Sequence, residues 1–542
     1  MAERGTTTSD DERLRGRGGT GSVDTGTPRT GGKTGGTAGT AGTGGRAVGA
    51  AATGGAAGPD HRGSEAGAET GPGVGLEVSQ WKYLSTAAGD PQMHAILSVR
   101  VDGTGSGARP GGPVLAQVLA VDCSSSMTWP VEKLHAAQQA AVAALRRLPD
   151  GTPFAVVRGN EQATVVYPDT PGMARASDRT RARAERAVHG MVAGGGTCIG
   201  AWLDLSRRLL AEQDAPLGHV LLLTDGKNQH DGQMPLARVL NECAGRFVCD
   251  AWGIGDGWDG RELLRIARRL HGSASSVREE AALPGEYEQL MNRLLTKTVP
   301  ELTVRVTAMP GCAVRYLKQV FPTEAELSDE DGTGRFVTRA WGDETRRYHL
   351  CLAADPAGRP RREDLQLAVA AVDVPGDDAV RLPPPQPCLV HWTDDPALSG
   401  HTDAQVEHFE QHQRLGEAVA AATDAHRRGQ PESAEQWLGR AVQLAHAMGA
   451  EEQLGRLARL VRIDDAQEGR VALRPGAAAV DFHHLITASS HSTYGPASGT
   501  GGGTAGTARG GAATLRCPVC THGAPAAARF CPTCGHSSGE RA

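Results

Sequence analysis

The fold of this chain is decided by the stretch Val114-Leu115-Ala116-Gln117-Val118-Leu119-Ala120-Val121-Asp122-Cys123-Ser124-Ser125-Ser126. An apolar run of this length, followed by a polar loop and a helical pattern, predicts a buried parallel strand that ends at the carboxyl edge of an α/β sheet. Asp122, Ser124 and Ser126 alternate in the loop, so one carboxylate and two hydroxyls are expected to converge on one point. Such oxygen ligands suit a small hard cation, Mg²⁺ or Mn²⁺, better than zinc or copper.

Two more oxygen donors lie downstream, where a doubly wound sheet would bring them to the same edge. Thr197 follows the glycines at 194–196, and Asp225 ends the apolar strand pattern at 219–224. A simple strand-to-helix turn accounts for Asp122 and the serines as helix caps, but not for Thr197 and Asp225 in register. A phosphate-binding loop is disfavoured because the glycines lack the Gly-Lys-Ser/Thr ending that such a loop needs.

This set of residues resembles the metal-ion-dependent adhesion site of von Willebrand factor A domains, and the resemblance extends over residues 114–299. In that family three loops hold one divalent cation, directly or through water, and a carboxylate of a partner protein fills the open position. The resemblance implies that the cation ligands are Asp122, Ser124, Ser126, Thr197 and Asp225. It also implies a doubly wound, mostly parallel sheet with helices on both faces, and the alternating strand and helix patterns of this region agree with that fold.

Composition and periodicity divide the rest of the 542-residue chain. Residues 1–74 form a Gly/Thr/Ala tract that cannot bury enough apolar surface to fold and is predicted to be disordered. Alternating patterns before and after the central region predict an antiparallel β-sandwich, made of residues 75–112 with 300–395, into which a domain at 113–299 is inserted. A helical hairpin is predicted at 400–465, packed on the sandwich. A flexible linker, which includes His483 and His484, is predicted at 466–513.

Two C-x-x-C pairs near the C-terminus predict a zinc ribbon in residues 514–538. Four thiolates would hold Zn²⁺ tetrahedrally and supply the stability that so short a segment cannot obtain from a core. The predicted ligands are Cys517, Cys520, Cys531 and Cys534. The other seven cysteines are scattered, which favours reduced thiols over a disulfide framework. Cys123 and Cys198, beside the cation ligands, are expected to be small buried fillers rather than redox-sensitive thiols.

Charge and hydropathy narrow the class of protein. The formal net charge of −6 is small for this length and favours neither nucleic acid nor an acidic membrane as the partner. The sequence has no apolar run of 18 residues, so no membrane span is expected. The first twenty residues lack the apolar core of a signal peptide. We therefore expect a cytoplasmic protein.

The combination of modules resembles bacterial intracellular proteins that join a von Willebrand factor A domain to a zinc ribbon. The resemblance implies a non-enzymatic adaptor or scaffold, in signalling or assembly, that grips an Asp or Glu of a partner protein through the cation. Such proteins often work beside Ser/Thr kinases and phosphatases or beside AAA+ ATPases. A metal-dependent hydrolase is one alternative, disfavoured because no His, Glu or Lys is an evident general base beside the ligands. A nucleic-acid-binding regulator is the other, but Arg516 and Arg529 form no basic stripe on the ribbon.

Overall fold

The structure is a computed structural model. It describes residues 73–87, 91–103, 115–232, 234–277, 279–329, 331–375 and 380–492, together with the backbone of two short paired strands at Thr514–Arg516 and Gly523–Pro525. The predicted disordered tract at 1–74 lies outside the described residues except for its last two positions, which belong to the first strand. The four cysteines of the predicted zinc ribbon lie outside them too.

The strands form three large sheets and a small hairpin. In chain order they are β1 (Gly73–Trp81), β2 (Tyr83–Ser85), β3 (Gln92–Asp102), β4 (Leu115–Asp122), β5 (Pro153–Gly159), β6 (Ala163–Tyr167), β7 (Ala174–Arg175), β8 (Leu217–Thr224), β9 (Val248–Ile254), β10 (Ala274–Val277), β11 (Val299–Ala308), β12 (Cys312–Phe321), β13 (Ala325–Glu326), β14 (Arg335–Trp341), β15 (Glu344–Ala354), β16 (Asp364–Asp373), β17 (Gln386–Thr393), β18 (Val461–Asp465) and β19 (Arg470–Leu473).

The helices within residues 132–295 pack on the central sheet. The remaining helices follow β17 in the sequence. In chain order they are α1 (Glu132–Arg147), α2 (Asp178–His189), α3 (Ile199–Ala211), α4 (Leu236–Cys243), α5 (Gly260–Arg269), α6 (Leu283–Leu295), α7 (Pro396–Ser399), α8 (Ala404–Arg427), α9 (Pro431–Ala447), α10 (Glu451–Leu460) and α11 (Ala479–Ser489). Among the described residues, none of these helices combines the length and apolar character that crossing a membrane requires.

The central sheet has the order β10-β9-β8-β4-β5-β6, with β7 paired to β5. Strand β4 runs parallel to both of its neighbours, β5 and β8. All eight residues of β4 are buried, as expected for a central parallel strand with helices on both faces. The prediction of a mostly parallel α/β sheet around this strand is therefore confirmed, and the carboxyl ends of β4 and β8 lie side by side.

Two further sheets have the orders β1-β3-β15-β12-β13 and β14-β11-β16-β17-β2. They share one apolar core, to which Leu97, Val304, Leu350 and Trp392 contribute. Strands from before and after the central sheet are neighbours here, since β3 pairs with β15 and β2 with β17. The first two strands belong to different sheets: β1 pairs with β3, whereas β2 joins the other sheet in parallel with β17.

The C-terminal helices contact both the outer sheets and the central domain, and not the sandwich alone as the sequence predicted. Val406 and Phe409, near the start of α8, pack with Ile96 and Val320 of the first outer sheet. The second half of α8, with α9 and α10, belongs to the same apolar core as one face of the central sheet. The helical prediction to residue 465 is wrong after Leu460, because β18 begins at Val461 and pairs with β19.

The prediction of a flexible linker from residue 466 is wrong for its first part. Residues 470–473 form β19 and residues 479–489 form α11. Phe482 is fully buried, and its ring stacks on that of His426 with centroids 4.2 Å apart. His483 and His484 both lie against the ring of Trp258. The burial of Phe482, Leu485 and Ile486 fixes this helix on the central domain.

Candidate metal centre

The first loop of the site begins where β4 ends. Asp122 is fully buried, and its Oδ1 accepts a hydrogen bond of 2.7 Å from the backbone N–H of Ser124. Its Oδ2 accepts one of 2.6 Å from the hydroxyl of Thr224, the last residue of β8. The carboxylate is thus held by its own loop and by the neighbouring parallel strand. Its orientation is fixed before any ligand binds.

The structure brings all five predicted cation ligands together. The hydroxyls of Ser124 and Ser126 are 3.0 Å apart, and Ser126 donates a 2.6 Å hydrogen bond to Oδ1 of Asp225. A methyl carbon built on Gly226 would lie 3.3 Å from Oγ1 of Thr197, 3.4 Å from Oγ of Ser126 and 3.8 Å from Oδ2 of Asp122. Three of the predicted ligand oxygens therefore face one small space beside Gly226.

Backbone hydrogen bonds join the three loops to one another. Ser125 N–H donates to the carbonyl of Gly195, and Gly194 N–H donates to that of Cys123, each at 2.8 Å. Gly195 has φ of +90°, a conformation that glycine adopts without strain. The carbonyl of Thr197 accepts from the N–H groups of Gln229 and His230 in the third loop. The three loops are therefore held against one another by backbone hydrogen bonds.

The charge of the site favours a cation. Asp122 and Asp225 are both fully buried, and within the described part of the chain the basic group that pairs with either is Lys133, whose Nζ lies 3.1 Å from Oδ2 of Asp225. Burial raises the pKa of Asp122 to about 6, although hydrogen bonds from Ser124 and Thr224 oppose the rise. Binding of a cation at Asp122 therefore competes with a proton near neutral pH. The oxygen donor set fits Mg²⁺ or Mn²⁺.

Several polar residues near the site were not predicted from the sequence. Thr224 and Lys133 touch the two carboxylates, and Glu161 accepts a 2.7 Å hydrogen bond from the backbone N–H of Gly196. A Lys and a Glu therefore lie beside the predicted ligands, each already paired with a group of the loops. Lys133 had a detectable signal, because it shares the helical register of the buried Ala137 and Ala140 on an otherwise apolar face of α1.

The two cysteines beside the ligands are buried, as predicted. Cys123 and Cys198 are 0% and 1% exposed. Burial raises the pKa of the Cys123 thiol to about 12, so this thiol is protonated and unreactive at neutral pH. Asp259 caps α5 by accepting from the N–H of Arg261.

Comparisons with known proteins agree with this geometry. A family model described as von Willebrand factor type A domain matches residues 116–276. Among solved structures, the chain is similar to a von Willebrand factor type A protein from Catenulispora acidiphila, with 30% identity, a TM-score of 0.70, and 78% of this chain and 98% of that chain covered. The ArnB paralog VWA2 from Sulfolobus acidocaldarius is 12% identical, with a TM-score of 0.48 and 77% and 98% of the two chains covered. The comparison with curated proteins gave no match.

Proposed function

Since the chain belongs to the von Willebrand factor type A family, we propose that it is a non-enzymatic adaptor that binds a partner protein through a divalent cation. Mg²⁺ or Mn²⁺ would be held by Asp122, Ser124, Ser126, Thr197 and Asp225. An Asp or Glu of the partner completes the coordination. The observation that carries this proposal is the convergence of the ligand oxygens on the space beside Gly226.

Exposed apolar side chains on the loops of the site support a protein as the ligand. Trp129, three residues after Ser126, is 83% exposed, and Val131 is 67% exposed. Val192, just before the glycine loop, is 72% exposed. Large apolar groups grouped on functional loops are typical of protein interaction sites. We infer that the acidic residue of the partner is flanked by apolar side chains that cover these three.

The polar groups around the site support binding rather than hydrolysis. The ammonium group of Lys133 is paired with Asp225, and the carboxylate of Glu161 accepts from the backbone of the glycine loop. Both groups therefore stabilise the loops instead of facing a substrate as a free general base. Turnover of a phosphoester or peptide substrate that Asp122→Ala abolishes would support the hydrolase instead.

The proposal places the adaptor in the cytoplasm and includes a zinc ribbon at Cys517, Cys520, Cys531 and Cys534. The seven cysteines in the described part of the chain are all free thiols, which supports a reducing compartment. The ribbon would anchor the adaptor to another protein, with nucleic acid as the alternative. The family resemblance implies three classes of partner: Ser/Thr kinases, phosphatases and AAA+ ATPases.

The decisive experiment compares two neighbouring serines. Ser126→Ala removes a hydroxyl of the centre, whereas Ser125→Ala removes an exposed hydroxyl of the same loop. We expect calorimetry to show that Mg²⁺ binding weakens at least tenfold in Ser126→Ala and is unchanged in Ser125→Ala. Pull-downs with wild type and Asp122→Ala, each with and without Mg²⁺, should capture the partner only with wild type and metal. Identical captured sets in all four conditions would contradict the adaptor function.

The partner surface is tested with two exposed tryptophans. Trp129→Ala should weaken binding of the purified captured partner by roughly tenfold or more, the effect of losing an interface hot spot, while Mg²⁺ affinity stays that of wild type. Trp437→Ala is the control, because Trp437 is 45% exposed on α9. Equal losses in both variants would exclude the surface around Trp129 as the docking site.

A further inference from the structure

Two histidines and a glutamate meet on an outer sheet, away from the candidate metal centre. His94 lies on β3 and His349 on the adjacent antiparallel strand β15. Nδ1 of His94 and Nε2 of His349 are 3.0 Å apart. One ring nitrogen of each histidine and a carboxylate oxygen of Glu410, on α8, all lie within 4.8 Å of one another. We propose that these three residues form a second metal site, one that takes a transition-metal ion of the zinc class.

The strand register explains why the two imidazoles meet. His94 pairs across the sheet with Cys351, and His349 pairs with Ile96. Residues two apart on a strand point to the same face, so His94 and Ile96 share the face on which α8 packs through Val406 and Phe409. Glu410 follows Phe409 directly. The helix thus brings a carboxylate to the edge of an imidazole pair, of which His349 is buried and His94 half-buried.

The protonation state of the pair suits metal binding. Burial lowers the pKa of His349 to about 3, with the positive charge of Lys318 adding to the effect. The pKa of His94 is lowered by burial as well. Both rings are therefore neutral at pH 7 and each keeps a lone pair for a metal ion. The three proposed ligands then carry the single negative charge of Glu410, part of which the nearby ammonium of Lys318 offsets.

One ring nitrogen of the imidazole pair lacks a hydrogen bond within the described residues. His349 is 2% exposed, and within the described residues its Nδ1 is buried without a hydrogen-bond partner. Burying two polar rings in contact costs free energy that one hydrogen bond offsets only in part. A metal ion at Nε2 of His349 would add one bond to this ring, and Nδ1 would then carry its proton.

The donor set selects the metal. Two imidazole nitrogens and one carboxylate oxygen are a common zinc ligand set, with a fourth position left for water or another ligand. Imidazoles disfavour Mg²⁺, which prefers oxygen. The carboxylate of Glu410 also lies 3.5 Å from a guanidinium nitrogen of Arg414, a loose pairing that a metal ion would displace. The bound ion would connect α8 to β3, which precedes the central domain in the sequence, and to β15, which follows it.

The test counts zinc in the full-length chain. Protein stripped with a chelator is dialysed against micromolar Zn²⁺ with excess Mg²⁺, and zinc is measured by mass spectrometry. We expect His94→Ala and Glu410→Gln each to hold one zinc fewer per chain than wild type. Glu417→Gln, an exposed glutamate on the same helix, should match wild type. Asp122→Ala should also keep this zinc, so a failure of the adaptor proposal is distinguished from a failure of this one.

A second measurement guards against variants that fold poorly. Zinc should raise the midpoint of thermal unfolding of wild type, and that rise should be smaller in Glu410→Gln, whose amide keeps the size of the carboxyl. Equal zinc content in wild type, His94→Ala and Glu410→Gln would overturn the second site. The same zinc-induced rise in the unfolding midpoint of wild type and Glu410→Gln would overturn it as well.

Discussion

Lys133 is the residue whose charge most directly opposes a bound cation. Its side chain is 8% exposed, and its ammonium lies 3.1 Å from Asp225 and 3.8 Å from Asp256. The ammonium partly neutralises the buried carboxylates when no metal is bound. A divalent ion at the same carboxylates is repelled by this charge. Lys133 therefore stabilises the metal-free site and reduces its affinity for metal.

We predict that Lys133→Met makes the fold more dependent on Mg²⁺. Removing one partner of a buried ion pair should destabilise the metal-free protein by about 3 kcal/mol, and Mg²⁺ should restore much of the loss. The measurement is the rise in the thermal unfolding midpoint on adding Mg²⁺, which should be larger in Lys133→Met than in wild type. Arg147→Met, at the exposed end of the same helix, is the control. Equal rises in all three proteins would show that Lys133 and the metal do not share Asp225.

The five ligand residues could be predicted from the sequence because the loop motifs resemble those of a known family, with Asp122 and Asp225 after strand patterns and Thr197 after the glycine loop. Lys133 and Thr224 could not be assigned in the same way. Their roles depend on contacts with residues about 90 to 100 positions away, and only the side-by-side ends of β4 and β8 create those contacts. At the residue scale, the sequence therefore predicts the donors but not the groups that orient and neutralise them.

At the scale of elements, α11 shows how composition can hide a helix. Phe482, Leu485 and Ile486 have the spacing of an apolar helical face, but the Ser/Thr/Gly-rich stretch that follows dominates the local composition. The helix is stabilised by its neighbours: Gly260 N–H donates to Nδ1 of His483, and the hydroxyl of Ser276 lies 2.5 Å from Nδ1 of His484. Such tertiary contacts are not visible in one segment of sequence.

We predict that Phe482→Ala destabilises the protein by about 3 kcal/mol, the usual loss for a large buried aromatic side chain. The effect should appear in urea denaturation followed by the fluorescence of the tryptophans, among which Trp258 packs against this helix. Leu382→Ala, at a position 48% exposed, should change stability by less than about 0.5 kcal/mol. If the two variants were equally stable, α11 would contribute nothing to the fold.

At the scale of the whole molecule, the sequence predicts the modules better than their contacts. Alternating apolar residues predict strands within 75–112 and 300–395, but the same alternation occurs in both outer sheets, so it does not show that β1 and β2 join different ones. Some of the contacts between modules are made by polar groups. Arg268 pairs with Glu324, and Arg269 donates to the hydroxyl of Ser328 at 3.1 Å. Polar contacts of this kind leave no periodic pattern in the sequence from which they could be predicted.

One of these contacts is made by a titratable group, the imidazole of His271. It follows α5, and its Nε2 lies 2.8 Å from the carbonyl oxygen of Glu326 in β13. Burial lowers the pKa of His271 to about 4, and the nearby guanidinium groups of Arg346 and Arg339 lower it further. The unfolded chain, with an ordinary histidine pKa near 6.5, therefore binds a proton between about pH 4 and 6.5 that the folded protein does not. Stability is then full above pH 6.5 and falls as the pH drops through this window.

We predict that His271→Gln reduces this acid sensitivity, because the glutamine amide can still donate to the carbonyl but does not titrate. Wild type should lose roughly 2 kcal/mol more than the variant between pH 7 and pH 4.5, allowing for partial exposure of the ring. The measurement is the thermal unfolding midpoint across this range, with His135→Gln, on the exposed face of α1, as the control. A pH dependence in His271→Gln as steep as that of wild type would mean that the contact between α5 and β13 does not depend on the protonation of this ring.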